Sequence, residues 1–413
     1  MFIGVGFFNL FNLLYHLFMV RYLPPIEYGH LNTLMALFMV ISVPASTVQT
    51  AVTKFVSSFQ TQNKYDLVKK LLRHLLVLMS IVGLVIFVLL TTGSSSLSSF
   101  LQISSYKLII FLAAGLFFAM VIPIPWGGLQ GLQKFGSMTL NLIVNGSLKF
   151  VLGILFIFLG WGVLGAMGAI AISYAATVFL SLIILGVALR EKGGLPQGEK
   201  GVKDSDPTSI SEVYSYFLPV GITLLCFMLL TNIDLILVKH FFPPIEAGFY
   251  SIAQMVGKII LFLPIPVVMA MFPKLSSLSG QEKRGFSILR QGLIIAASLC
   301  SGAVILGLLF PSWMIKILSG KVYLECIPLV RLFCINMSFF SLTLIILYYH
   351  LSTPNRFYLY PLFLLTLIQT GLIVLFHKTL VQVLLVVGVV AVTLFGVNLY
   401  LIYRHRERGG QGL

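Results

Sequence analysis

The sequence predicts an all-α integral membrane protein with about twelve transmembrane helices, in two six-helix lobes that are related by an internal parallel repeat and enclose a central cavity. Three observations lead to this prediction. The 413 residues are 58% apolar and only 9% charged, with a mean hydropathy of +1.02, and a soluble globule of this size needs more polar surface. The apolar runs are about 20 residues long, which is enough to cross a hydrocarbon core about 30 Å thick. Finally, one hexapeptide pattern occurs twice.

The repeated hexapeptide is PPIEYG at 24–29, which returns 219 residues later as PPIEAG at 243–248. At that offset residues 23–59 and 242–278 share ten identities in 37 positions, where about one match in 14 is expected by chance. The identities indicate a duplication. Two halves with a site between them are the architecture of many transporters.

The apolar runs predict twelve spans, six in each half. They are 1–22, 31–56, 72–92, 106–125, 137–158, 163–189, 213–239, 247–272, 287–310, 326–349, 357–377 and 381–403. The predicted domains are therefore an N-terminal lobe at 1–189, a charged, Gly- and Pro-containing cytoplasmic linker at 190–212, a C-terminal lobe at 213–404 and a cytoplasmic tail at 405–413.

The Lys and Arg residues predict the orientation. With both termini in the cytoplasm, eighteen of the 27 fall in inner segments and six, Lys239 among them, in outer segments. The other three, Lys149, Lys258 and Arg331, lie within spans. An excess of cationic residues on the inside is typical of multi-span proteins. The formal net charge of +15 thus reflects topology and does not indicate nucleic-acid binding.

Polar side chains recur at helical spacing inside the apolar spans. An ionisable group in hydrocarbon is costly, so these faces are expected to point toward protein or water. They predict a polar cavity walled by the first, second, seventh and eighth helices. The candidates are Asn9, Asn12 and His16 in the first span, Gln49 and Lys54 in the second, Asn145 and Lys149 in the fifth, Asp234 in the seventh, Gln254 and Lys258 in the eighth, and Arg331 in the tenth.

Structural roles are alternatives for several of these residues. The Asn9 face is equally compatible with hydrogen bonds between helices, and Lys54 with a side chain that snorkels to the headgroups. Asp234 and Arg331 are compatible with a structural ion pair, and His16 with a packing role. The four cysteines form no Cys-x-x-Cys pair, and the sequence contains no His-Glu-x-x-His motif and no phosphate loop. We therefore expect no catalytic centre, cofactor or metal site.

Three short motifs carry a family resemblance: RYLPPIEYG at 21–29, NID at 232–234 and MFPK at 271–274. They resemble the polysaccharide biosynthesis proteins. These are lipid-linked oligosaccharide flippases of the multidrug/oligosaccharidyl-lipid/polysaccharide exporter superfamily. Lipid II flippases of that superfamily have fourteen spans, so about twelve favours the O-antigen and capsule branch.

The resemblance implies a non-enzymatic carrier of an undecaprenyl-pyrophosphate-linked oligosaccharide, working by alternating access in a bacterial or archaeal cytoplasmic membrane. Its implied partners are membrane lipid and other polysaccharide assembly proteins. The pyrophosphate would be matched by Lys54, Lys149, Lys258 and Arg331, with Arg21 at the outer mouth of the cavity. Two alternatives stay open. A drug or cation antiporter would use Asp234, or His16, as its coupling site, and a membrane polymerase or ligase would need a sizeable outer loop.

Overall fold

The computed structural model describes residues 2–192, 210–268, 271, 275, 282–353 and 356–410. No strand occurs among these residues. The first nine helices are α1 (Phe2–Tyr22), α2 (Pro25–Ile41), α3 (Val43–Thr61), α4 (Tyr65–Thr92), α5 (Ser94–Phe100), α6 (Lys107–Val121), α7 (Pro123–Gly131), α8 (Phe135–Phe158) and α9 (Gly162–Lys192). The next eight are α10 (Ile210–Leu230), α11 (Ile233–Phe241), α12 (Pro244–Phe262), α13 (Glu282–Leu309), α14 (Pro311–Ser319), α15 (Cys326–Ser352), α16 (Leu359–Leu375) and α17 (Leu380–Gly410).

The helices agree with the predicted spans. In the described part of the chain, nine helical segments are long and apolar enough to cross a membrane, and α2 with α3, bent by 42°, make a tenth. Helices α1 and α16 lie at the positions of the first and eleventh predicted spans. A helix thus lies at every predicted span position, and the prediction of an all-α membrane protein is confirmed.

The chain divides into two compact units, Met1–Gly221 and Ile222–Leu413, which we call the first and second lobes. The division falls within α10, two residues after Pro219, which removes one helical hydrogen bond. Of the predicted linker, 193–209 lie outside the described residues, as do 411–413 of the predicted tail. The boundaries predicted from sequence stay predictions.

The segment before the repeated hexapeptide, α1 in the first lobe and α10 with α11 in the second, shares buried positions at the offset of 219. Five positions are buried in both copies: Gly4 and Thr223, Tyr15 and Asp234, Met19 and Val238, Val20 and Lys239, and Leu23 and Phe242. The equivalent helices therefore pack the same face into their own lobe, although the residues on that face differ in polarity.

The fifth helices, α8 and α16, share a burial pattern as well, now at an offset of 220. The matched buried positions within these helices are Leu142 and Leu362, Asn145 and Leu365, Gly146 and Thr366, Lys149 and Gln369, and Gly153 and Ile373. The duplication thus extends to α8 and α16, which lie outside the two segments, 23–59 and 242–278, that share sequence identities. The position in the second lobe that is equivalent to Lys149 is the neutral Gln369.

Small residues bring α3 and α7 into close contact. A Cβ added at Gly131 would lie 2.7 Å from the Cβ of Val56 and 2.9 Å from the carbonyl oxygen of Thr53, so only glycine permits this approach. The Oγ1 of Thr53 also donates to the Oε1 of Gln130 at 3.4 Å. Helix α3, which carries the candidates Gln49 and Lys54, is consequently fixed against α7.

Candidate functional site

The strongest polar feature of the first lobe is Lys149, only 4% exposed on α8. Its Nζ donates a hydrogen bond to the Oδ1 of Asn12 on α1 and lies 4.7 Å from the centroid of the Tyr15 ring. An amide oxygen and an aromatic face both stabilise a cation. Both are neutral, so the charge of Lys149 is solvated by these partners without being neutralised.

Two glycines on either side of Lys149 allow this arrangement. A Cβ added at Gly153 would lie 2.8 Å from the Cε2 of Tyr15, and one at Gly146 would lie 3.0 Å from the Cβ of Phe11. Helix α8 can therefore approach α1 closely. This close approach brings the ammonium of Lys149 to the α1 surface that presents Asn12 and Tyr15.

Helix α9 holds the same cluster from the other side. The hydroxyl of Tyr15 donates to the carbonyl oxygen of Ala166 at 2.9 Å. The Nδ2 of Asn145 donates to the Oγ1 of Thr177 at 3.0 Å and to the carbonyl oxygen of Ser173 at 3.4 Å. Asn145, a predicted cavity residue, uses its amide inside the first lobe, which is the helix-to-helix bonding that buried amides commonly make.

The other first-lobe candidates lie at varied depths. Asn9, Arg21 and Lys54 are exposed. His16 is half-buried, with its ring centroid 5.7 Å from that of Tyr15. Gln49 is half-buried and donates to the Oε1 of Gln130 at 3.4 Å. Of these five, His16 contacts the Lys149 cluster through the ring of Tyr15.

In the second lobe the central polar group is Asp234, which is fully buried. Its carboxylate accepts a hydrogen bond from the hydroxyl of Tyr250 at 2.7 Å and one from the Nε2 of Gln254 at 3.4 Å. Lys258 is near enough for its charge to act on Asp234, and its Nζ donates to the Oδ1 of Asn232 at 3.0 Å. Tyr250, Gln254 and Lys258 are four residues apart and so share one face of α12.

A helix break explains why Asp234 lies where it does. Helix α10 ends at Leu230 and α11 begins at Ile233, with Asn232 as the N-cap residue at φ −137°. Asp234 is in the first turn of α11, where the unpaired backbone N–H groups favour a negative charge. The Nδ2 of Asn232 donates back to the carbonyl oxygen of Met228 at 2.8 Å, which orients its Oδ1 toward Lys258.

The possible ion pair between Asp234 and Arg331 is not formed. Among the described residues, the side chains that bond the Asp234 carboxylate come from α12, and the cation whose charge acts on it is Lys258. Arg331 is exposed on α15. The sequence suggested only Arg331 as a partner for this acid, whereas the packing of α11 against α12 brings Lys258 near it.

Lys239 was not among the predicted site residues, because the seventh span was predicted to end there and the lysine was counted with the outer segments. Helix α11 continues to Phe241, and Lys239 is fully buried. A signal for this was available in the repeat, since the equivalent residue of the first half is the apolar Val20. Tyr15 and Tyr250 were also not predicted as site residues, because spacing in an apolar span does not separate a tyrosine with a polar role from one that only packs.

No group of three or more His, Cys, Asp or Glu side chains that could hold a metal occurs in the part of the chain that the structure describes. The four cysteines are buried as free thiols. The polar clusters of the two lobes thus consist of lysine, carboxylate, amide and phenol groups, which suit binding and charge compensation.

Comparison with known proteins identifies the family. A family model described as polysaccharide biosynthesis protein matches residues 1–279, which is well over half of the chain. The chain belongs to the polysaccharide biosynthesis protein family. The expectation from the three short motifs is thereby confirmed. The chain is also 23% identical over 275 residues to an uncharacterized membrane protein of Methanocaldococcus jannaschii. That match covers 64% of this chain and 62% of the relative, so it spans less than two thirds of the relative's length.

Solved structures show the fold of this chain. An inward-facing multidrug resistance MATE family transporter of the MOP superfamily superposes with a TM-score of 0.77, at 17% identity, over 97% of this chain and 96% of the other. An outward-facing one gives a TM-score of 0.68 at 17% identity, covering 100% and 94%. A MOP superfamily transporter from Pyrococcus furiosus, described as having a binding pocket of reverse polarity, gives 0.60 at 18% identity, covering 97% and 93%. The chain therefore has the fold of these MOP superfamily transporters.

Proposed function

We propose that this protein is a flippase. It moves a polyprenyl-pyrophosphate-linked oligosaccharide, undecaprenyl-linked in bacteria, across the cytoplasmic membrane by alternating access. The glycan serves the synthesis of a cell-surface polysaccharide such as O-antigen, capsule or exopolysaccharide. Membership of the polysaccharide biosynthesis family and the fold of a transporter support the class of function. One observation, the neutral surroundings of Lys149, supports a negative charge on the substrate.

A buried ammonium without a counter-ion is unfavourable by several kcal/mol. Lys149 has an amide oxygen and an aromatic face as its partners, so a negative ligand group would complete its environment. A pyrophosphate offers that charge together with strong acceptor oxygens, and charge-assisted hydrogen bonds of this kind are roughly twice as strong as neutral ones. The exposed Asn9 and the half-buried Asn12, on the same face of α1, can bond sugar hydroxyls.

The second lobe has a different charge balance. There the lysine of the polar cluster, Lys258, is accompanied by the carboxylate of Asp234. The position equivalent to Lys149 is the neutral Gln369, whose Nε2 donates to the carbonyl oxygen of Leu230 at 2.8 Å. Of the lysines in these two polar clusters, the one with no carboxylate beside it is therefore Lys149 of the first lobe. This asymmetry favours an anionic substrate that is anchored mainly by Lys149.

A drug or cation antiporter is favoured by one observation, the buried carboxylate of Asp234. Its oxygens, however, already accept hydrogen bonds from Tyr250 and Gln254, and the charge of Lys258 acts on it. A cationic drug would have to displace these groups. The MOP superfamily transporter with a pocket of reverse polarity supports the idea that one fold accommodates pockets of opposite charge.

The proposed setting is a cytoplasmic membrane with both termini on the cytoplasmic side. The distribution of Lys and Arg, eighteen inner to six outer, or five outer without the buried Lys239, supports this orientation. Partners are the lipid-linked glycan, the surrounding lipid and other polysaccharide assembly proteins.

Deleting the gene in its own host would test the function. We expect loss of surface polysaccharide and accumulation of its lipid-linked precursor on the cytoplasmic side, both restored by the wild-type gene. A deletion that leaves the surface polysaccharide intact and instead sensitises the cells to cationic dyes would contradict the proposal and favour the antiporter.

A further inference from the structure

We propose that Lys239 is a proton-carrying residue of the second lobe, neutral where it is buried in this conformation and protonated when the lobe rearranges during transport. The inference rests on the proposed transport function, to which it adds the identity of a group that takes up and releases a proton. The step itself is the addition of one proton to the amine of Lys239, or its removal, and no other bond changes.

The environment of Lys239 carries the argument. The residue is fully buried in α11, between Val238, itself fully buried, and the half-buried His240. Its Nζ has no hydrogen-bond partner among the described residues. A charged, unpaired ammonium in such a place is unfavourable by several kcal/mol, whereas a neutral amine is tolerated.

The charged and titratable groups around α11 contact other residues, are half-buried or are exposed. Helix α11 packs against α12, α16 and α17. On α11 and α12, Asp234 bonds Tyr250, Lys258 bonds Asn232, and Glu246 and His240 are half-buried. Between α16 and α17, His377 stacks on Phe241 at 3.9 Å. The exposed groups are Tyr360, Lys378, Tyr400, Tyr403 and Arg404. None of these groups forms a hydrogen bond with the Nζ of Lys239.

The repeat shows that packing does not require this lysine. The equivalent residue of the first lobe is Val20, 3% exposed, and the neighbouring positions Met19 and Val238 are buried alike. An apolar side chain therefore fills the equivalent buried place in the first lobe. A lysine at a position where a valine packs suggests a role in which the amine itself is needed.

A stability comparison tests the protonation state directly. Because valine is the residue that the first lobe uses, Lys239→Val should fold and should raise the midpoint of thermal unfolding in detergent. The difference between the two midpoints should become smaller as the pH is raised toward about 10. Below that pH the lysine of the unfolded wild type binds a proton that the buried amine of the folded protein does not bind, and this favours unfolding; near pH about 10 the unfolded chain begins to lose that proton. Lys378→Val, at an exposed position, is the matched control and should show no such gap. The reciprocal Val20→Lys should lower the midpoint.

A transport assay tests the coupling. In proteoliposomes containing a fluorescent short-chain polyprenyl-pyrophosphate disaccharide, an imposed pH gradient should change the wild-type rate severalfold and leave the Lys239→Val rate unchanged, while both bind the probe equally. A Lys239→Val variant that is less stable than wild type or fails to fold would overturn the proposal, and so would one whose dependence on the gradient is intact. Wild type that does not bind the probe would instead refute the proposed substrate, and the pH dependence of stability would still decide whether Lys239 is neutral.

Discussion

Lys149 on α8 donates a hydrogen bond to the amide oxygen of Asn12, which lies 137 residues earlier on α1. This contact uses one of the three donors of the ammonium, and the ring of Tyr15 covers another side of it at 4.7 Å. The pair therefore fixes the position of a positive charge and leaves part of its hydrogen-bonding capacity for a ligand.

Lys149→Gln should weaken binding of a short-chain polyprenyl pyrophosphate by roughly 10- to 100-fold, which corresponds to the loss of about 1.5–3 kcal/mol for a hydrogen bond to a charged group. The fold should persist, because Gln369 occupies the equivalent position of the second lobe. Lys149→Arg should keep part of the affinity. Isothermal titration calorimetry measures both, and the exposed Lys107→Gln serves as the control. An unchanged affinity of Lys149→Gln would remove this residue from the site.

Asp234→Asn should lower the free energy of unfolding by about 1–3 kcal/mol, because Tyr250 and Gln254 would lose a charged acceptor and Lys258 its counter-charge. Adding Lys258→Gln should recover part of that loss. The double-mutant cycle over thermal or urea unfolding measures the coupling, which we expect at about 0.5–3 kcal/mol. Additive effects of the two changes would show that Lys258 and Asp234 do not interact.

Gly131→Ala should destabilise the first lobe by about 1–3 kcal/mol, since the new Cβ would overlap Val56 and the backbone of Thr53. Gly136→Ala is the matched control, because nothing lies within 4 Å of a Cβ added there. Thermal unfolding of the two variants in the same detergent makes the comparison. Equal midpoints for both would argue against the close packing of α3 on α7.

Much of the fold follows from hydropathy, because a span must be long and apolar wherever it lies in the chain. The shared face of Asn145 and Lys149 also follows from their spacing of four. The partner of Lys149 could not be predicted in this way. Asn12 is far away in the sequence, and the two residues meet only because glycines on α8 allow it to approach α1 closely. Likewise, Lys239 was assigned to an outer segment because hydropathy does not show where α11 ends.

The predicted topology places both termini and the 190–212 linker in the cytoplasm. A cysteine introduced at Ser205 should therefore react with a membrane-impermeant maleimide only after permeabilisation, whereas one at Ser104, in the predicted outer loop, should react in intact cells. The four native cysteines are buried, so background labelling should be low. Labelling of Ser205→Cys in intact cells would show that the linker is outside and that the predicted orientation is wrong.

Reconstituted transport tests the central claim most directly. Purified protein in proteoliposomes should move a fluorescent polyprenyl-pyrophosphate disaccharide between leaflets, measured as the fraction that a membrane-impermeant quencher reaches over time. Lys149→Gln should slow this movement by at least the factor by which it weakens binding, and Lys107→Gln should leave it unchanged. Movement of cationic dyes by the wild type, with no movement of the lipid-linked disaccharide, would contradict the account.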